Sequence, residues 1–227
     1  SLETLDKDAE LVIFTPAIPK EHLQYNWYLQ NNYTVLKRAQ ILGLAANGMF
    51  NISIAGSHGK TSTSSIVAHI LHESNKSVAA FLGGICINFN SNFIDGNEYA
   101  IAEADEFDRS FLQLEPNIAL ITSVDTDHLD IYGNLEAIED SFHAFCNKVR
   151  DNGILIKHIY IKKKILNKNV KNLRYSLLDN KADFYAENLV VKNGEYTFDV
   201  VHPNGKIENV KSYYGGKHNI ENAIGAA

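Results

Sequence analysis

The stretch at residues 52–73, ISIAGSHGKTSTSSIVAHILHE, constrains the fold of this chain most, because an apolar run there breaks into glycines, a lysine and hydroxyls before turning helical. Ile52, Ile54 and Ala55 read as the end of a buried strand, and Ile66, Val67, Ile70 and Leu71 recur at helical spacing on one apolar face. Strand, tight loop and helix follow in that order. The loop of Gly56, Ser57, His58, Gly59, Lys60, Thr61 and Ser62 then sits at a helix N-terminus, where free backbone N–H groups and the positive end of the dipole favour a phosphate. Lys60 adds a mobile positive charge for the outer phosphates, and Thr61 can offer its hydroxyl to a magnesium ion. The full phosphate-loop pattern has a further glycine where this chain has Ile54, so the match is the shorter GxxGK[ST] form. His58, inside the loop, is either a substrate contact or a surface imidazole.

Around this unit the chain alternates strand and helix. Residues 10–14 read as a strand, 15–19 (TPAIP) as a proline-bounded loop, 21–30 as a helix, 34–36 as a short strand and 37–46 as a helix closed by Asn47 and Gly48. That opening segment has too few elements for a core of its own. Further strands are expected near 78–82, 99–102, 118–122 and 154–156, which makes a parallel sheet the natural reading. Leu135, Ile138, Phe142, Phe145 and Val149 are spaced for an amphipathic helix over 134–150. The last part changes character: 184–191, 195–201 and 206–213, separated by NG and PNG turns, read as antiparallel hairpins before a final helix from His218.

The expected fold is therefore α/β: a P-loop-containing, mostly parallel sheet flanked by helices, with a small antiparallel region near the C-terminus. A length of 227 residues with 45% apolar content supports a real core. A net charge of -6 with both signs mixed provides no basic field for nucleic acid. No apolar run approaches the ~20 residues of a membrane span, so no membrane insertion is expected. Two isolated cysteines, Cys86 and Cys146, suit neither a disulfide framework nor a zinc site and point to a reducing cytoplasm. A start at Ser1 and an end at Ala227, inside a helical pattern, suggest an excised piece of something longer. Oligomeric state is left open.

Two acidic clusters follow apolar strands. AEADEFD places Glu103, Asp105, Glu106 and Asp108 where one strand ends, and SVDTDHLD places Asp125, Asp127, His128 and Asp130 at the end of the next. In an open α/β sheet that edge is where ligands lie. Carboxylates beside a phosphate loop supply oxygen ligands for a hard cation whose charge offsets the phosphates. On cation chemistry alone, Asp127 or Asp130 is the natural ligand in the second cluster. Near the C-terminus, His218, Asn219 and Asn222 mark a helix start; the two asparagines share a face and can serve an adenine edge or act as caps.

Taken in order, GSHGKTS, EADEFD, TDHLD and HNIENA resemble the ATP-dependent Mur ligase family of peptidoglycan synthesis. TPAIP, VLKRAQILG, FLGGICINF, EADEFDRSFLQLEP, VDTDHLDIYG and ADFYAENL resemble its alanine-adding branch. The likeness runs over nearly the whole chain.

The resemblance implies a division: residues 1–46 as a remnant of an N-terminal, UDP-binding Rossmann-like domain, 47–227 as the central ATP-binding domain, and a C-terminal ligase domain absent. It implies ATP and Mg2+ as cofactors and UDP-N-acetylmuramate and L-alanine as substrates, joined through an acyl phosphate, with little ligation from this piece alone. It assigns Lys60 and the amides of the 56–62 loop to the phosphates, Thr61, Glu103 and His128 to metal, and His218, Asn219 and Asn222 to adenine; Lys60, Glu103 and His128 are the catalytic set. Several relatives carry a carbamylated lysine beyond the metal histidine, where this chain has Phe142, His143 and Ala144. That absence fits the alanine-adding branch and leaves open what bridges a second magnesium. The alternatives are a tripeptide-recycling ligase of the same family and a nucleotide-binding module without ligase activity.

Overall fold

Each apolar run long enough to cross a sheet becomes a strand in the computed structural model, which describes residues 2–125, 132, 134–162 and 166–227. The chain opens with β1 (Val12–Phe14), α1 (Leu23–Gln30) and β2 (Val35–Lys37); the two strands pair in parallel and join no other sheet. His22 caps α1 by accepting from the Tyr25 N–H at 3.3 Å. Tyr28 packs edge-on against both Trp27 and Tyr33, yet no described residue before Gly43 is buried.

α2 (Arg38–Asn47) leads into the main sheet and is tied to it. Asn47 accepts from the Glu115 N–H at 2.8 Å and from the Asn51 side chain at 3.0 Å, and donates to the Gln113 carbonyl at 3.0 Å. The sheet holds β3 (Phe50–Ala55), β4 (Val78–Cys86), β5 (Ser91–Ile94), β6 (Tyr99–Ala104), β7 (Ile118–Ile121), β8 (Ile154–His158) and β9 (Lys171–Tyr175), in the order β5-β4-β6-β3-β7-β8-β9. Only β5 runs antiparallel to its neighbour.

Helices cover both faces. α2 and α4 (Leu135–Cys146) lie over a core of Phe111, Phe142, Phe145 and Leu155; α3 (Lys60–Glu73) and α5 (Lys217–Ala226) lie over one of Ile54, Val67, Tyr175, Ile220 and Ile224. The second core also takes Ala186, Phe198 and Val200 from a separate antiparallel sheet of β10 (Tyr185–Lys192), β11 (Glu195–His202) and β12 (Gly205–Ser212). Asn193 and Gly194, at φ 50° and 82°, make the two-residue hairpin turn that the NG pair predicts. Among the described residues no helix is long and apolar enough to cross a membrane.

The expected α/β architecture and its antiparallel appendage are both present, with some differences in extent. α4 ends at Cys146, not 150, although Val149 is buried. Tighter i→i−3 bonds, Lys148 to Phe145 and Val149 to Cys146, carry the apolar face one turn past the helix. β4 runs on to Cys86 because β5, for which no strand is expected, pairs with its far end. β9 is likewise unexpected: KNLRY buries only Leu173 and Tyr175 of an otherwise charged and polar edge strand.

Candidate functional site

β3 lies between β6 and β7, with Ala55 level with Ala104 on one side and Ile121 on the other. The three strands therefore stop together, and the loops after them crowd into one crevice. The chain crosses β3 on its way from β6 to β7, which is where an open α/β sheet builds its ligand sites.

The 56–62 loop leaves β3 and is stitched to the loop after β7. The Ser57 N–H donates to the Ser123 carbonyl at 3.2 Å, the His58 N–H to Ser123 Oγ at 3.0 Å, and the Asp125 N–H to Ser57 Oγ at 2.9 Å. Thr122 Oγ1 donates to the carbonyls of Ala55 and His58. Gly56 (φ 138°) and Gly59 (φ 83°) hold conformations that L side chains rarely adopt, and a Cβ on Gly56 would lie 2.1 Å from Thr122 Oγ1. Gly59 starts α3 and has no side chain to cap it, which suits its first-turn amides to a ligand. His58 meets the neighbouring loop through its backbone N–H and carbonyl, and its mostly exposed ring stands 3.8 Å from the Asp125 carboxylate of that loop.

Lys60 folds back over the loop. Its Nζ donates to the Gly56 carbonyl at 2.6 Å and to Glu106 Oε2 and Oε1 at 2.8 and 3.2 Å; the side chains of Lys60 and Glu106 are 17% and 3% exposed. Thr61 Oγ1 donates to Glu103 Oε2 at 3.0 Å, and the Gly83 N–H donates to Glu103 Oε1 at 2.5 Å. Burial pushes the Glu103 carboxyl above its usual range, and the bonds from Gly83 and Thr61 oppose that push. Lys60, Glu103 and Asp105 open into a cleft of about 420 Å³ bounded by Arg38 and Leu42 of α2 and by Phe93 of β5.

Asn222 of α5 reaches the same loop: a Cβ on Gly59 would lie 2.8 Å from its Oδ1. Asn219 is buried and donates to the Gly215 carbonyl at 2.6 Å, in the turn that starts its own helix, while His218 is exposed. Ser62 lies in the first turn of α3. Thus the structure brings together the 56–62 loop, Lys60, Thr61, Glu103 and Asn222. His128, like Asp127 and Asp130, lies outside the described residues. Thr122 and Gly83 are parts of the site to which the sequence reading gives no role, and Glu106, read there as one of a cluster of candidate cation ligands, pairs with Lys60. The signal for Gly83 is the glycine pair ending FLGG; Thr122 carries none.

Among the described residues no three His, Cys, Asp or Glu side chains cluster to hold a metal. Glu103 and Thr61 nevertheless offer two adjacent hard oxygens beside the phosphate loop. That donor set fits magnesium, which takes one or two protein oxygens and completes its shell with phosphates and water.

The Mur ligase middle domain matches residues 54–227. Proteins named UDP-N-acetylmuramate--L-alanine ligase are similar in sequence. The one from Flavobacterium psychrophilum is 47% identical over 94% of this chain and 46% of its own length; that from Cytophaga hutchinsonii is 42% identical over 97% and 48%. The chain thus spans about half the length of the curated relatives it matches. In fold it is similar to a UDP-N-acetylmuramate-alanine ligase from Thermotoga maritima (TM-score 0.81, 24% identity, 100% of this chain and 51% of that one). It is also similar to a UDP-N-acetylmuramate:L-alanyl-gamma-D-glutamyl-meso-diaminopimelate ligase from Neisseria meningitides (TM-score 0.83, 20% identity, 96% and 72%). With the family match covering the P-loop, both acidic strand ends and the final helix, this chain belongs to the Mur ligase family.

Proposed function

We propose that the protein joins L-alanine to the carboxylate of UDP-N-acetylmuramate at the expense of ATP, through an acyl phosphate, in peptidoglycan precursor synthesis. The observation that carries this reading is the meeting of Lys60 and the Thr61–Glu103 pair at adjoining strand ends, in a chain whose curated relatives are named for that ligation.

A carboxylate resists attack by an amine until one of its oxygens becomes a phosphate leaving group. Forming that bond brings two anions together, so the site must screen them. The amides of the 56–62 loop and the Lys60 ammonium face the outer phosphates of ATP and take up charge as the γ-phosphoryl moves. Glu103 and Thr61 would hold magnesium, which would supply positive charge against the phosphate oxygens when bound. His128 completes that metal set on family resemblance. The cleft between α2 and β5 accommodates the acid substrate within reach of Lys60, and its apolar wall limits the water that could hydrolyse an acyl phosphate. Asn219, Asn222 and His218 serve the adenine end, with Asn222 packed on Gly59.

On this reading residues 1–46 are the end of a UDP-binding domain, 47–227 form the ATP-binding domain, and a further domain completes the amino-acid site. The free cysteines Cys86 and Cys146 suit a cytoplasmic enzyme.

The test is phosphate release and product analysis on the intact protein with magnesium, ATP and UDP-N-acetylmuramate, offering L-alanine or the tripeptide. Amide formation with alanine supports the proposal. Amide with the tripeptide alone replaces it with the recycling ligase, and nucleotide binding without amide leaves a binding module.

A further inference from the structure

We propose that Glu106 is a positioning residue of the phosphate site: it holds the Lys60 ammonium beside the place a nucleotide phosphate takes, and so sets how tightly the loop binds nucleotide. This rests on the reading of Lys60 as the phosphate lysine. An ammonium has three N–H donors. In this structure the Gly56 carbonyl takes one at 2.6 Å, and the two Glu106 oxygens, 2.8 and 3.2 Å from Nζ, share a second, because the oxygens of one carboxylate lie too close together to meet two tetrahedral N–H bonds. A phosphate can take the third N–H while Glu106 keeps its hold on the second.

Glu106 is built to stay where it is. Its carboxylate is 3% exposed and cannot withdraw into water. Its carbonyl accepts from the Tyr132 hydroxyl and from the Arg109 N–H. The chain that follows is locked by Asp108 and Arg109 at φ 52° and 54°, and the Phe107 N–H donates to Asp105 Oδ1 at 3.1 Å. A fixed anion beside the incoming phosphate does two opposing things. It repels the phosphate and neutralises the lysine, which weakens nucleotide binding, and it keeps the lysine in one place, which favours transfer. A residue that merely supported the fold would move affinity and turnover in the same direction.

The experiment is Glu106→Gln in the intact protein, titrated calorimetrically with magnesium-ADP and assayed for turnover, with a thermal melt to verify folding. Removing the charge while keeping the shape should tighten ADP binding about tenfold and lower kcat at least about tenfold. ADP affinity equal to or weaker than that of the unsubstituted protein overturns the proposal, and so does tighter binding with undiminished turnover. If the glutamine variant does not fold, Glu106→Asp decides, since it keeps the charge but draws it back from Nζ. Tighter ADP binding with reduced kcat supports the proposal, and any other result overturns it. A failure of the unsubstituted protein to bind magnesium-ADP removes the phosphate-lysine reading itself, and this inference with it.

Discussion

Two units of this chain begin alike and end differently. β1, α1 and β2 form a parallel strand–helix–strand pair, as do β3, α3 and the strands beside it, yet no described residue from 2 to 42 is buried while Ile54 and Ala55 are sealed off. Within residues 1–227 the difference is the number of neighbours. β1 pairs with β2 alone, whereas β3 has β6 and β7 on its edges, α3 and α5 on one face and the Phe111–Phe145 core on the other. The same contrast recurs in two lysines that bond to one turn: Lys37 pairs with Asp108 at 2.9 Å with 44% and 39% exposure, Lys60 with Glu106 at 2.8 Å with 17% and 3%. An identical local pattern therefore has an energetic meaning set by what surrounds it.

The largest expected break in the comparison is in packing. Ile54→Ala, at a position with no exposure, should cost about 2–5 kcal/mol in denaturant unfolding. In a chain of residues 1–227 alone, Ile13→Ala, half exposed in β1, should stay within about 0.5 kcal/mol. Comparable losses at the two sites would show that β1 contributes to a core after all.

The lysines give the next contrast. Lys60→Ala should lower turnover of the intact protein by about 10²–10³-fold, the size seen when a transition-state charge contact is removed. Lys37→Ala should change stability by no more than about 1 kcal/mol, as for an exposed ion pair. Undiminished turnover in the Lys60 variant would remove the P-loop assignment.

Gly56→Ala tests the loop directly. With φ at 138° and Thr122 Oγ1 in the way of a Cβ, the substitution should destabilise by about 1–3 kcal/mol and weaken nucleotide binding. The readouts are a melting curve and ADP titration.

The smallest effect concerns α5, the cover over the second core. Glu221 Oε1 lies 2.9 Å from His158 Nε2 and accepts from the Leu177 N–H at 3.0 Å; the His158 hydrogen bond holds the carboxyl below its ordinary value of 4.5. A depressed carboxylate stabilises the fold above its unfolded value and loses that contribution as pH falls through the folded one. Glu221→Gln should therefore melt earlier than the unsubstituted protein at pH 7, and the gap should close as pH drops below about 4.5.

Much of this was legible beforehand. The glycines, lysine and hydroxyls of 56–62 mark a strand-to-helix turn because only such residues fit it, and the periods of 2 and 3.6 locate β3, α3, α4 and the hairpins. β9 and β5 escape that reading because an edge strand buries one face at most and carries charge or turn residues on the other. The end of α4 escapes because Val149 keeps the helical face without the helix.

The sequence alone determined that an anion-binding loop opens a helix and that carboxylates follow two strands, since these are matters of residues adjacent in the chain. Only the tertiary structure decided that Lys60 meets Glu106, 46 positions away, that Glu103 takes Gly83 and Thr61, and that Asn222 rests on Gly59. Those pairings depend on the strand order, which places β6 and β7 on either side of β3. Strand order is set by which buried faces fit together across the whole sheet, a property that no stretch of chain carries by itself.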